Sequence, residues 1–420
     1  MWMGDGRLSD DMQKVITRCR DRIEAREPKV LAWKALDWDF VGRQVDELAA
    51  WPMDKRGPLF GLPVGIKDIF DTADLPTAYG SEIYEGHQPY ADAASVARLR
   101  AAGAVIMGKT VSTEFAYWKA GPTRNPLDFD RTPGGSSSGS VAAVADGMVP
   151  LAIGSQTAAS TIRPAAYCGI VGFKPTLGLI SLAGVKALSN SLDTVGVFAK
   201  DVAGAGLLSG VLAGRPGLMA PTEPGSPPRL ALRTSPEWDK VAPSALNAVK
   251  KTADLATRHG ADVKTDKIPA AFAGLADIQT TVMAYEAARE LAHERRCHFD
   301  RLSQPLSDLL TEGENISADA YDDAYRQRDS SLMALGRLFG DATVLLAPST
   351  LGEAPLFEEG TGDPTMSRAW TLLGLPSITI PCGVGENGLP LGLQIAARPR
   401  QDQQLLEIAT WLEHLLVSAQ

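Results

Sequence analysis

The sequence predicts an α/β sandwich, a β-sheet with helices on its faces. Two observations predict it. Helical and strand-like segments alternate along the second half of the chain. Short apolar runs of strand length also recur, several of them closed by proline. The bulk composition is compatible: of 420 residues, 45% are hydrophobic and 22% charged, enough apolar material for a large core. Length alone allows two or three domains or one large α/β unit.

Residues 9–50 read as a helical arm, with Ser9, Asp10 and Asp11 available to cap its first helix. Gly57-Pro58 marks a turn, and residues 62–70 form an apolar, strand-like run with Lys67 in its middle. Residues 92–102 read as a helix capped by Asp92 and ended by Gly103, and AVIMG then reads as a buried strand. Residues 176–200 look loop-rich, and Asp201 starts another helix. Five prolines in residues 214–228 mark an exposed connection and a candidate subdomain boundary. A strand at 229–233, a helix at 243–259 and a strand around Val263 follow. Residues 276–340 read as mainly helical and charged. Strands are expected at 344–348, 375–381 and 391–395, and a last helix at 401–416.

Several function classes are disfavoured at once. With 41 basic and 50 acidic residues the net charge is −9, which disfavours a nucleic-acid or anionic-membrane partner. No run of eighteen apolar residues occurs. The N-terminal stretch carries early acids and no apolar h-region, so it does not read as a signal peptide. Cys19, Cys168, Cys297 and Cys382 are too scattered for a zinc or redox motif, and free thiols in a cytoplasmic protein are expected.

The chemistry concentrates in residues 134–176. Two clusters of small residues, GGSSSGS and SQTAAS, flank an apolar segment too structured for a linker. Small residues leave backbone amides bare, and a hydroxyl beside bare amides supplies both needs of acyl transfer, a nucleophile and donors for an oxyanion. Upstream, Lys67 has two readings. It snorkels to the surface beside Asp68, or it is buried and loses its proton easily enough to act as a base.

Two local patterns suggest other chemistries. Residues 103–110 fit the phosphate-binding P-loop letter for letter, but they follow a helix and have a strand-prone middle, where a P-loop follows a strand and opens a helix. Residues 135–139 fit the G-x-S-x-G nucleophile elbow, with Ser137 as nucleophile and a serine esterase as the implied enzyme. An elbow needs a preceding strand and a downstream histidine. PLDFDRTPG is a poor strand, and His259, His293, His298 and His414 all lie in or at the ends of helices.

A lysine and a relay serine can replace the histidine. GLPVGIKDIFDT, TPGGSSSGSVAAVA and GSQTAASTIRPAAYCGIVGFKPT resemble the lysine motif and the two serine motifs of the amidase signature family of serine hydrolases, and GLPSITIPCG and GLPLGLQIAA resemble its closing strands. The resemblance covers roughly residues 40–416. It implies a mixed, twisted central β-sheet sandwiched between α-helices. The domain reading is then an arm at 1–50 packed on one α/β/α unit at 51–420, with a variable, helical substrate side at about 270–340.

Carried over by position, the resemblance makes Lys67 the base, Ser136 a bridging serine after a cis peptide, and Ser160 the nucleophile. Backbone amides of Thr157, Ala158, Ala159 and Ser160 would receive the oxyanion. Phe115, Trp118, Tyr167 and Trp370 are candidates for an apolar substrate pocket. Separations of 69 residues from Lys67 to Ser136 and 24 on to Ser160 fit the family pattern.

The implied activity is hydrolysis of C–N bonds in small-molecule amides, and also carbamates or esters, with no metal or cofactor. The alternative is the amidotransferase component that makes Gln-tRNA or Asn-tRNA in a complex, passing ammonia to a partner. A homodimer is the default oligomer.

The chain departs from the family pattern at four places. Ala158-Ala159 replaces Gly-Gly, so a tighter or reshaped oxyanion hole is expected. Gln156 stands where aspartate is common and Ser155 where threonine is, and Arg163 is shifted by one place.

Overall fold

The computed structural model describes the backbone of residues 8–419 and side chains from Met12 onward. The expected capping by Ser9, Asp10 and Asp11 falls on side chains outside the described ones. Eleven strands form one sheet: β1 (Trp33–Leu36), β2 (Pro63–Lys67), β3 (Val105–Thr110), β4 (Leu151–Gln156), β5 (Val171–Lys174), β6 (Thr194–Ala199), β7 (Arg229–Thr234), β8 (Asp262–Lys267), β9 (Val344–Pro348), β10 (Ser377–Val384) and β11 (Pro390–Ala397). Their order across the sheet is β1-β3-β2-β4-β6-β5-β10-β11-β9-β7-β8. The pairs β3–β2, β2–β4, β9–β7 and β7–β8 are parallel and the rest antiparallel.

Successive side chains on a strand point to opposite faces, so a sheet covered on both sides needs apolar residues at consecutive positions. That is what the central strands show. Ile106, Ile153 and Val197 enter one apolar cluster. Their neighbours Val105, Met107, Ala152 and Phe198 enter the other. All seven are nearly or fully buried, and each large one stabilises by about 1.5–3 kcal/mol. The second cluster is completed by three helices, α1 (Leu8–Val30), α2 (Trp38–Ala49) and α4 (Ser138–Ala145), while α3 (Ala94–Ala101) lies on the first.

The arm is not wholly helical. Leu31, with φ 55°, turns the chain out of α1, and residues 33–36 then pair antiparallel with β3. The Glu27 carboxylate accepts the Ala32 and Trp33 amides at 3.0 and 2.9 Å, which fixes the turn. Helical periodicity hid this strand because it is only four residues long. In α2, Asp37 caps the first turn, accepting from the amides of Asp39 and Phe40.

Other expectations are corrected in detail. Asp92 does not cap α3; it accepts from the Ala73 amide and the Arg100 guanidinium. The loop-rich stretch before Asp201 contains β6, fully buried in mid-sheet. The proline-rich segment at 214–228 does not divide the sheet, since β7 pairs with β9 directly after it. The reading against a P-loop is upheld: residues 103–110 are a turn followed by β3. The ammonium of Lys109 is buried against Phe70 O, Thr77 Oγ1 and Asp68, with no phosphate cradle.

Candidate active site

Parallel pairing of β2 with β4 sets Val64, Gly65 and Ile66 opposite Leu151, Ala152 and Ile153. The carboxyl ends of both strands therefore reach the same edge of the sheet, where open α/β sheets place their ligands. Lys67 ends β2 and is 0% exposed. Its Nζ lies 2.6 Å from Ser136 Oγ and donates to Ser155 Oγ at 2.8 Å. Burial pushes the ammonium down to a pKa of about 7, against a smaller upward pull from the Asp193 carboxylate. Of the two readings open in the sequence, the buried amine is the one realised. Sequence reasoning gives Ser155 no catalytic role; its position at the end of β4, beside a lysine on a parallel neighbour, is the signal that register supplies.

Ser136 follows a cis peptide bond from Gly135. The segment then opens α4, a helix of small residues that lies flat on the backbone beneath it. Gly139 shows how close that approach is: a Cβ there would run into the carbonyl oxygen of Ala32 and the amide nitrogen of Val111. Arg163, fully buried on α5 (Ile162–Tyr167), donates to Gly135 O at 2.7 Å, to Thr361 Oγ1 at 3.2 Å and to Gly362 O. Despite its shifted place in the motif, it holds the carbonyl immediately before Ser136.

Residues 157–160 form a loop between β4 and α5. Gln156 accepts the amides of Thr161 and Ile162 at 2.9 and 3.1 Å. Among the described residues, the amides of Thr157, Ala158, Ala159 and Ser160 have no protein acceptor. The two alanines do not take the left-handed conformation: neither appears among the non-glycine residues of positive φ. No backbone angle reserved for glycine is therefore needed, and the expected obstacle to substitution is removed.

The loop is held from three directions. Thr371 Oγ1 donates to Ala158 O at 2.7 Å and accepts from Gln156 Nε2 at 3.0 Å. Gln279 Nε2 donates to Thr157 O at 2.9 Å. Thr157 Oγ1 donates to Asp193 Oδ1 at 2.5 Å, and Asp193 Oδ2 accepts the amides of Leu188 and Ser189. Burial raises the Asp193 carboxyl to about 6.

Ser136, Thr157, Ala158, Ser160 and Arg163 open onto one narrow pocket, closed by Ala116, Tyr117, Trp118, Met283 and Arg368 among others. Of the four predicted aromatic residues, only Trp118 lines it. Phe115 is core, packed against Tyr84. Tyr167 sits under Gly362 in a small separate cluster with Ala354 and Leu389. Trp370 lines a different cavity, with Trp238 and Phe272. Burial outcompeted function for these three because each is large and apolar. Met283 and Arg368 come from the C-terminal half, and no local motif marks either.

Ser137 is 0% exposed, and its hydroxyl is engaged with the Ser155 backbone at 3.3 Å. His259 bonds Leu255 O, His414 pairs with Glu223, and His293 and His298 meet edge to face. The elbow reading has neither its exposed nucleophile nor its histidine.

A family model, Amidase, matches residues 14–406. The chain belongs to the amidase family. Among curated relatives, the A-type subunit of glutamyl-tRNA(Gln) amidotransferase from Anaeromyxobacter sp. (strain K) is 34% identical, with 94% of this chain and 91% of the relative covered. A crystal structure described as an amidase superposes with TM-score 0.87 at 28% identity, covering 97% of this chain and 98% of that one. The peptide amidase of Stenotrophomonas maltophilia gives TM-score 0.81 at 29% identity, covering 96% and 93%. The sandwich architecture is thus shared with solved amidase-family enzymes. Among the described residues, no helix is long and apolar enough to cross a membrane.

Proposed function

We propose that this amidase-family chain cleaves amide C–N bonds through an acyl-Ser160 intermediate. The observation that carries the reading is the fully buried Lys67, its Nζ 2.6 Å from Ser136 Oγ, with Ser136 lining the same pocket as Ser160 and the residues Thr157 and Ala158, whose amides are free. Neutral Lys67 accepts the Ser136 proton as Ser136 accepts that of Ser160. The Ser160 oxygen bonds to the substrate carbonyl carbon, and the oxyanion is received by the free amides of residues 157–160. Each such donor contributes about 3 kcal/mol in the transition state.

The C–N bond then breaks. The leaving amine takes the proton back through Ser136, and water releases the acid from Ser160. Among the described residues no hydrogen bond joins the Ser136 and Ser160 hydroxyls. The relay requires that contact to form when a substrate carbonyl positions Ser160.

A second reading is favoured by the sequence comparisons: the same cleavage serves a tRNA-dependent amidotransferase complex. The curated relatives matched at 30–34% identity over 92–96% of the chain are described as A-type subunits of glutamyl-tRNA(Gln) amidotransferase. In that reading the ammonia freed at Ser160 is passed to a partner.

Fluorophosphonate labelling, mapped by mass spectrometry, tests the shared chemistry. The adduct is expected on Ser160 and lost in Lys67→Ala; an adduct on Ser137, or unchanged labelling in Lys67→Ala, overturns it. Turnover of simple amides by the purified chain alone supports the hydrolase. Glutamine cleavage appearing only with a captured partner supports the complex.

A further inference from the structure

The geometry points to a substrate that carries a carboxylate, received by Arg368; this inference rests on the amide-cleavage reading. Arg368 lies on the helix Thr365–Leu372 and lines the pocket of Ser136 and Ser160. Its Nη1 donates to Gln279 Oε1 at 2.9 Å and also to Thr280 Oγ1. Gln279 in turn donates to Thr157 O, so the guanidinium is tied to the loop of free amides.

The other side of the fork is open. Among the described residues, Nε and Nη2 of Arg368 have no hydrogen-bond partner and no carboxylate lies within salt-bridge distance of the guanidinium. Nε and Nη2 are the two parallel donors that grip a carboxylate bidentately. A largely buried cation held rigidly by neutral groups on one side and left unpaired toward a pocket has its counterion still to come.

The charges around the pocket agree. Its lining contains two arginines, Arg163 and Arg368, and no acid. Among the described residues, Arg163 directs Nη1 to Gly362 O and Nη2 to Gly135 O and Thr361 Oγ1 and keeps a buried Nε without a partner, whereas Arg368 leaves both Nε and Nη2, one whole side of its fork, free. The carboxylates whose charge acts on Arg368 are Asp363 and Asp277. Asp363 accepts the Thr365 amide at 2.7 Å rather than pairing with the arginine. The Tyr117 phenol, also in the lining, is coupled electrostatically to the same guanidinium. Bulky neutral acyl chains gain nothing from such a site, whereas an amide bearing a free carboxylate, on its acyl or its amine side, neutralises it.

Matched pairs of amides test this. Glutaryl and valeryl p-nitroanilide differ by an acyl-side carboxylate, and N-butyrylglycine and N-butyryl-methylamine differ by an amine-side one. In at least one pair the acid is expected to be favoured by about tenfold or more in kcat/KM. Arg368→Gln should bring that ratio close to one, and Arg368→Lys should retain part of it. Absence of an acid preference in both pairs, or a preference that survives in a folded Arg368→Gln, overturns the inference.

Calorimetric binding of glutarate and of neutral glutaramide gives a readout free of turnover. Glutarate binding that Arg368→Gln abolishes supports the inference even if Ser160 proves unreactive to fluorophosphonate, which would sink the hydrolase reading alone. Equal binding of the two compounds, or no glutarate binding, counts against Arg368.

Discussion

The sharpest consequence of the site is its pH dependence. At a pKa of about 7, half of Lys67 is neutral at pH 7, whereas a lysine at its ordinary 10.5 is neutral in roughly three molecules in ten thousand. Burial therefore raises the concentration of the competent base by about three orders of magnitude. The second-order rate of fluorophosphonate attack on Ser160, measured from pH 5 to 9, should rise about tenfold per unit below 7 and level off above it.

Asp193 supplies the internal control. Its negative charge pulls the Lys67 pKa upward, so Asp193→Asn should move the rising limb to lower pH. Asp193 itself gains a proton near pH 6, so the wild-type limb should also flatten below that value, and the variant's should not. An inflection near 10, a flat profile from 5 to 9, or a limb that moves to higher pH in Asp193→Asn would refute Lys67 as the base.

Two further predictions concern stability. The Lys67 pKa falls from 10.5 to about 7 on folding, so between those values the unfolded chain binds a proton that the folded chain does not, and stability rises with pH. The whole window spans about 5 kcal/mol, at about 1.4 kcal/mol per unit. Lys67→Met removes this dependence, so its gain in melting temperature should be largest near pH 7 and shrink toward pH 10; a gain independent of pH contradicts a buried neutral amine. Gly139→Ala should cost about 3 kcal/mol in urea unfolding, because α4 has no room to retreat from two backbone atoms at once. A near-neutral result would mean that α4 does not sit against residues 32 and 111 as described.

Much of this architecture was legible in the sequence where local chemistry and tertiary role coincide. Residues 104–108, 344–348 and 391–395 read as apolar runs of strand length and fall on β3, β9 and β11. Lys67 stood out because a lysine among Ile66, Ile69 and Phe70 contradicts a solvated face. Reading failed where the deciding partner is remote. The four residues of β1 are held by pairing with β3, over seventy positions away. Asp92 was drawn from its cap by Ala73 and Arg100. Phe115, Tyr167 and Trp370 are core, which size and apolarity alone could not separate from a pocket wall. Arg368 carries no local mark: its setting is made by Gln279 and Thr280 on the helix Leu275–Glu290, nearly ninety residues earlier.

The departures at residues 155–159 make sense as one unit. An oxyanion hole built only of backbone amides needs its loop fixed, since donors that must reorganise during reaction lose much of their value. Here the fixing is done by Gln156, Thr371 and Gln279, which among them engage the carbonyls of Thr157 and Ala158 and the first amides of α5. Gln279→Leu and Thr371→Val each leave one of those carbonyls unsatisfied, at a cost of about 1–3 kcal/mol. If the loop acts as a unit, each variant lowers kcat with little change in KM, because the donors matter most to the developing oxyanion. The double variant should then lose less than the product of the two single losses, since the first break already frees the loop. Losses confined to KM, or losses that multiply fully, would show instead that the two side chains act separately and that the loop keeps its shape without them.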